Sequence, residues 1–186
     1  MAAFINPAFR NAVLATCIAI DYTLAGNAIT QSYMGVPALI HEFPSSNSPE
    51  YAVRARLLGK QWPPIWVVGN NFFRPISTIA TIGYAFTAWS LARVERVLDM
   101  DWRWFAFNAA LHATVIVHSA VNMQPLNNKL AALAGVGSDG KGNAKVDKQD
   151  EGRAVEIATN WIEGNKYRLL IPVVTGAISL WQVFSS

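Results

Sequence analysis

The sequence predicts an all-α protein, a four-helix transmembrane bundle forming one domain over residues 1–186. Three observations carry this. Hydrophobic residues make up 52% of the chain and charged residues only 15%, against about 25% charged in soluble domains. Four apolar stretches reach, with their flanks, the roughly 17–25 residues a helix needs to cross hydrocarbon. Their polar residues are isolated, whereas a soluble bundle helix shows a polar stripe along its length.

The first span, about 12–36, is built on "AVLATCIAIDYTLAGNAI" and can extend to Ile40. The second, about 74–92, is built on "PISTIATIGYAFTAWSLA". "WFAFNAALHATVIVHSAV" gives the third, about 104–124, and "LLIPVVTGAISLWQVF" the core of the fourth, about 161–184. Trp62, Trp66, Trp89, Trp102, Trp104, Trp161 and Trp181 lie at or near predicted helix ends, where an indole finds an apolar body and a wet N–H at the headgroup boundary. Between spans, "HEFPSSNSPE" (41–50) reads as a turn-rich link and "GVGSDGKGNAKVDKQDEGR" (135–153) as a flexible loop. "EYAVRARLLGKQW" (50–62) suits a short amphipathic helix at the interface.

Four spans put both termini and the 93–103 loop on one side, with Arg10, Arg93, Arg96 and Arg103. The other basic residues lie opposite, so the positive-inside rule turns the loops 41–73 and 122–168 to the cytoplasm. The sequence describes a multi-pass integral membrane protein without naming the membrane. The lipid bilayer is the first expected partner. The formal charge is +3 and no lysine or arginine run occurs, so nucleic acid is not an expected partner. The single cysteine, Cys17, cannot close an intramolecular disulfide. Zinc-ligand spacing, a phosphate-binding glycine loop and a G-x-S-x-G elbow are all absent from the sequence.

Polar groups inside spans are costly and mark candidate sites. The first span carries Asp21, the third Asn108, His112, His118 and Asn122, and the fourth opens with Trp161, Asn165 and Arg168. His118 and Asn122 are i, i+4 and share a helix face. His112 and His118 are six residues apart, about 120° around a helix, so they do not both face one narrow pocket. Trp161, Asn165 and Arg168 follow at 0, +4 and +7 as one stripe. Antiparallel neighbours would bring that stripe to the end of the third span, "VNMQPLNN". His118, Asn122, Asn127, Asn128, Trp161, Asn165 and Arg168 are therefore expected around an apolar cavity with a few hydrogen-bonding groups. Such a site suits a flat, apolar polycyclic or quinone-like molecule bearing a few oxygens.

"QPLNNKL" and "WIEGNKYRLLIP" resemble two linked motifs, P-x-N-x-x-L and W-x3-N-x2-R, of the anthrone oxygenase-like family of small four-helix membrane proteins. Pro125, Asn127 and Leu130 match the first, and Trp161, Asn165 and Arg168 the second. Trp66 and Gly69 match an aromatic-x-x-Gly element before the second helix, though the usual Tyr-Asp pair is absent. The resemblance implies a monooxygenase-type oxidoreductase of polyketide pathways. Such an enzyme inserts oxygen at the central methylene of an anthrone to give an anthraquinone, without a metal or organic cofactor. That chemistry needs a base and oxyanion donors. His118 is the first candidate base and His112 the second, with Arg168, Asn165 and Asn127 as donors. Trp161 would stack on the ring system, and Asn122, Asn128 and Asp21 would line the binding site. Two other readings fit the same composition: a membrane protein that binds a quinone or lipid, and a non-catalytic accessory subunit packed against other membrane subunits.

Overall fold

The computed structural model of the protein describes residues 6–93, 100–135 and 145–186, except the side chain of Val68. Arg96, and with it most of the 93–103 loop, lies outside these residues, as do positions 136–144 of the glycine-rich loop.

The architecture is all-α, with no strand among the described residues. Helix α1 (Pro7–Thr30) passes through a π turn (Gln31–Gly35) into α2 (Val36–Ile40). Helix α3 covers Tyr51–Ala92. Helix α4 (Trp102–His118) passes through a second π turn (Ser119–Met123) into α5 (Gln124–Ala132). A short α6 (Lys148–Gly152) precedes the long α7 (Ala154–Phe184).

Among the described residues, three helices are long and apolar enough to cross a membrane: Pro7–Ile40, Trp102–Ala132 and Ala154–Phe184. The stretch expected as the second span forms the C-terminal part of α3, which is not among the three. Serine and threonine dilute its isoleucines, and the first half of α3 carries Arg54, Arg56 and Lys60. The expected interfacial helix at 50–62 is likewise not separate. It continues through Pro63, Pro64 and Pro75 as part of α3. Phe9, Ile82, Val117, Val121 and Leu170 are among the many large apolar side chains exposed on these helices, an outer surface suited to a lipid bilayer.

Both π turns have a local cause. Pro37 and Pro125 each stand two residues past a π turn. A proline ring has no N–H and crowds the carbonyl four residues back. The wider turn absorbs this. The N–H of Val36 bonds to Gln31 O, and that of Gln124 to Ser119 O, five residues back in each case. The helix therefore continues past Pro125, which the sequence alone would read as its end.

The chain forms two compact units. The first comprises Met1–Asn27, Phe73–Val117 and Arg168–Ser186, and the second Ala28–Phe72 and His118–Tyr167. Buried Leu14, Cys17, Tyr84, Ala88, Leu91 and Phe105 form one core of the first unit, and Ile20, Leu24 and Ala80 another. The second unit packs Ala55, Leu58 and Trp62 of α3 with Met123, Leu130 and Leu133 and with Ile157, Ala158 and Trp161 of α7. In the same unit Asp147 caps α6 by accepting the Gln149 N–H at 2.8 Å. Glu151, 5% exposed, holds Lys148 at 2.7 Å and Arg56 at 3.2 Å. The hydrogen bond from Lys148, joined by that from Arg56, keeps its carboxyl below the usual range. Residues 148–152 are thus an ordered helix within the stretch whose composition reads as a flexible loop.

Close approach in the second unit depends on Gly59. A Cβ there would sit 2.5 Å from Ala134 N and 2.9 Å from the Leu133 carbonyl carbon. Both are backbone atoms and cannot swing aside. Gly59→Ala should therefore lower stability by about 2 kcal/mol or more, at the upper end of overpacking costs. Thermal unfolding in detergent measures this, and an unchanged midpoint would mean that α3 can slide without loss.

Candidate functional site

The first unit holds a buried hydrogen-bond network centred on Asp21. Its carboxylate is 0% exposed. Asp21 Oδ1 lies 2.7 Å from His112 Nε2. Asp21 Oδ2 accepts from the Tyr84 hydroxyl at 2.5 Å and from Thr175 Oγ1 at 3.0 Å. The Tyr84 oxygen accepts from Ser179 Oγ at 3.0 Å, which in turn accepts from Asn108 Nδ2 at 3.0 Å. Asn108 Nδ2 also donates to the Thr175 carbonyl at 3.1 Å. Amide, hydroxyl and phenol thus donate in one direction toward the carboxylate, an alignment in which each bond strengthens the next. The Tyr84 ring stacks on the His112 imidazole with centroids 5.6 Å apart. Four helices supply the groups: α1 gives Asp21, α3 Tyr84, α4 Asn108 and His112, and α7 Thr175 and Ser179.

Small residues let these helices meet. A Cβ on Gly176 would lie 3.2 Å from the Tyr22 ring and 3.4 Å from Asp21 Cβ, and one on Gly83 would collide with Cys17 Sγ.

The second unit holds the motif residues. Asn127 Oδ1 accepts from two indoles at once, Trp161 Nε1 at 2.8 Å and Trp62 Nε1 at 3.3 Å. The two rings meet edge to face with centroids 5.2 Å apart. Trp62 and Trp161 are therefore buried, with both N–H groups satisfied inside the protein by Asn127. Asn165 Nδ2 donates to Ser32 Oγ at 2.9 Å and to the Ala28 carbonyl at 3.3 Å, next to the first π turn. His118 Nε2 lies 2.9 Å from the Gly164 carbonyl, and Asn122 Nδ2 lies 2.9 Å from His118 Nδ1. Asn128, exposed, accepts from Gln124 at 2.8 Å.

Six of the seven residues expected around one cavity thus fall in the second unit, where His118 bonds Asn122 and Asn127 bonds Trp161. Arg168 falls in the first unit. A groove of about 510 Å³ in the second unit is lined by Phe43, Tyr51, Arg153, Glu156 and neighbours, none of them an expected site residue. His112 and Asp21 meet in the first unit, in company the sequence reading had not assembled. Tyr84, Thr175, Ser179 and Trp62 were missed as site residues. The available signal was faint: Thr175 and Ser179 are i, i+4 on one face of an apolar helix.

A family model described as anthrone oxygenase matches residues 62–178. The chain belongs to the anthrone oxygenase family. Comparison with curated proteins and with solved structures finds no match. The anthrone oxygenase match takes in Trp62, Tyr84, His112, His118, Asn127, Trp161, Asn165 and Arg168. Asp21 lies before the span matched to the anthrone oxygenase model, and Ser179 one residue beyond it.

Proposed function

We propose that this chain is a four-span, single-domain membrane oxygenase that oxidises an anthrone-type polycyclic phenol to a quinone with dioxygen and no cofactor. The match to the anthrone oxygenase family over 62–178 carries the reading. A fully buried hydrogen-bond network that includes an imidazole, within apolar helices, supports it, because the reaction needs a base shielded from bulk water.

The chemistry balances without a further oxidant. A base removes a proton from the central methylene, leaving an electron-rich carbanion conjugated with the phenolic rings. That anion passes one electron to dioxygen, and the carbon radical and superoxide join to form a peroxide. Protonation and loss of one water leave the carbonyl. Overall the methylene and one O₂ become a ketone and one H₂O. The protein supplies the base, donors for the developing oxyanion, and a dry site in which those donors count for more than in water.

The test is oxygen consumption by detergent-purified, metal-stripped protein with emodin anthrone, compared with protein-free and heat-denatured controls. A rate well above both, with quinone formed mole for mole with oxygen consumed, is the expected result. Rates equal to the controls would discard the reaction for this substrate. Saturable binding without turnover would then favour a quinone-binding role.

A further inference from the structure

The two histidines differ in one respect that matters for a base. A carbonyl oxygen only accepts, so His118 Nε2, 2.9 Å from the Gly164 carbonyl, carries the ring hydrogen. Its other nitrogen, Nδ1, then holds the lone pair, and that lone pair accepts from the Asn122 amide at 2.9 Å. Both nitrogens of His118 are spent. His112 is arranged otherwise. Its Nε2 faces the Asp21 carboxylate at 2.7 Å, which fixes the hydrogen on that nitrogen. Its Nδ1 is buried and has no hydrogen-bond partner. One turn earlier on the same helix, Asn108 Oδ1 is also buried and unpartnered. Its orientation is fixed, since Asn108 Nδ2 must donate to the Thr175 carbonyl. Both side chains are 0% exposed. Two bare acceptors at i, i+4 share a helix face, and bare buried acceptors call for a donor.

Resting on the oxidation reading above, we propose that His112 Nδ1 is the base that takes the methylene proton. Asn108 Oδ1 receives a hydroxyl of the same substrate, and Asp21 is the positioning residue that holds His112 in the required tautomer. The proton moves from the substrate carbon to Nδ1, and the C–H electron pair stays on the substrate. The imidazolium so formed is stabilised by the Asp21 carboxylate on its far side, while Tyr84 and Thr175 keep that carboxylate in place. A phenolic polycycle offers both an acidic methylene and hydroxyl donors, so it meets both acceptors. His118 belongs to the scaffold of the second unit.

Deprotonation can be read apart from oxygen chemistry. Under anaerobic conditions in D₂O, the protein should catalyse exchange of the methylene hydrogens of emodin anthrone, followed by proton NMR. His112→Gln is the variant of choice: its amide nitrogen can still donate to Asp21, while the basic nitrogen is gone. Exchange above background should fall at least about 100-fold in His112→Gln and survive in His118→Ala. In wild-type protein labelled with ¹⁵N-histidine, His112 should show a bare Nδ1 and a protonated Nε2. Asp21→Asn should abolish that preference and the methylene exchange with it in a protein that still folds, whereas a merely structural carboxylate would leave the exchange intact. Exchange that persists in folded His112→Gln, or a protonated Nδ1 in neutral His112, overturns the assignment while leaving the oxidation reading standing. No exchange and no oxygen uptake by the wild type would overturn the oxidation reading and this assignment with it.

Discussion

Asn127→Leu should lower the stability of the folded chain by about 3 kcal/mol, although the two side chains share the same branching and number of heavy atoms. The leucine fills the space but accepts nothing. Trp62 and Trp161, 0% and 2% exposed, would each keep a buried N–H without a partner. Each orphaned donor costs about 1–3 kcal/mol. A chain unfolded in a bilayer or detergent finds substitute partners, which pulls such values down. Two donors on one acceptor still leave a large effect. Trp161→Phe should cost less, because it removes a donor together with its need, and Asn127 retains Trp62. Asn128→Leu should cost almost nothing, since Asn128 is exposed and, among the described residues, its side chain bonds its neighbour Gln124. Unfolding followed by tryptophan fluorescence reads all three. Equal losses for Asn127→Leu and Asn128→Leu would sink the two-indole account.

Sequence pattern predicted the second unit's contacts better than the first's. The end of the third apolar stretch and the start of the fourth were expected to meet, and Asn127 does bond Trp161. The i, i+4 pairing of His118 with Asn122 is also present. The Asp21 network was mostly hidden because hydroxyls in apolar helices carry little signal. A threonine there can bond the carbonyl four residues back, as Thr16, Thr23, Thr78 and Thr87 do. Thr175 does the same to Ile171 and also reaches Asp21, 154 residues away in the chain. Nothing local distinguishes it from the others. Pro125 reads as a terminator, but the preceding π turn carries the helix through it.

Asp21→Ala should be the most damaging single substitution in the first unit, at about 3–5 kcal/mol, the cost of removing one partner from a buried charged cluster. It strips the carboxylate acceptor from Tyr84 and His112 together; Thr175 keeps the Ile171 carbonyl, and His112 Nε2 keeps only the longer contact to Thr175 Oγ1 at 3.2 Å. Ser179→Ala tests whether that loss is specific. Without Ser179 Oγ, Tyr84 still donates to Asp21 and Asn108 still donates to the Thr175 carbonyl. Its loss should stay near the roughly 0.6 kcal/mol typical of a hydrogen bond between membrane helices. Asp21→Asn separates stability from chemistry. Its carbonyl oxygen can serve Tyr84 and Thr175, which turns its NH₂ toward His112 Nε2. That nitrogen must then accept, so the ring hydrogen moves to Nδ1. The fold should survive in large part while the base nitrogen is blocked, so oxygen uptake should collapse in a protein that still melts cooperatively. A folded Asp21→Asn with wild-type turnover would mean that the carboxylate only holds helices together. An Asp21→Ala chain within 1 kcal/mol of wild type by the same denaturation assay would mean that it does not do even that.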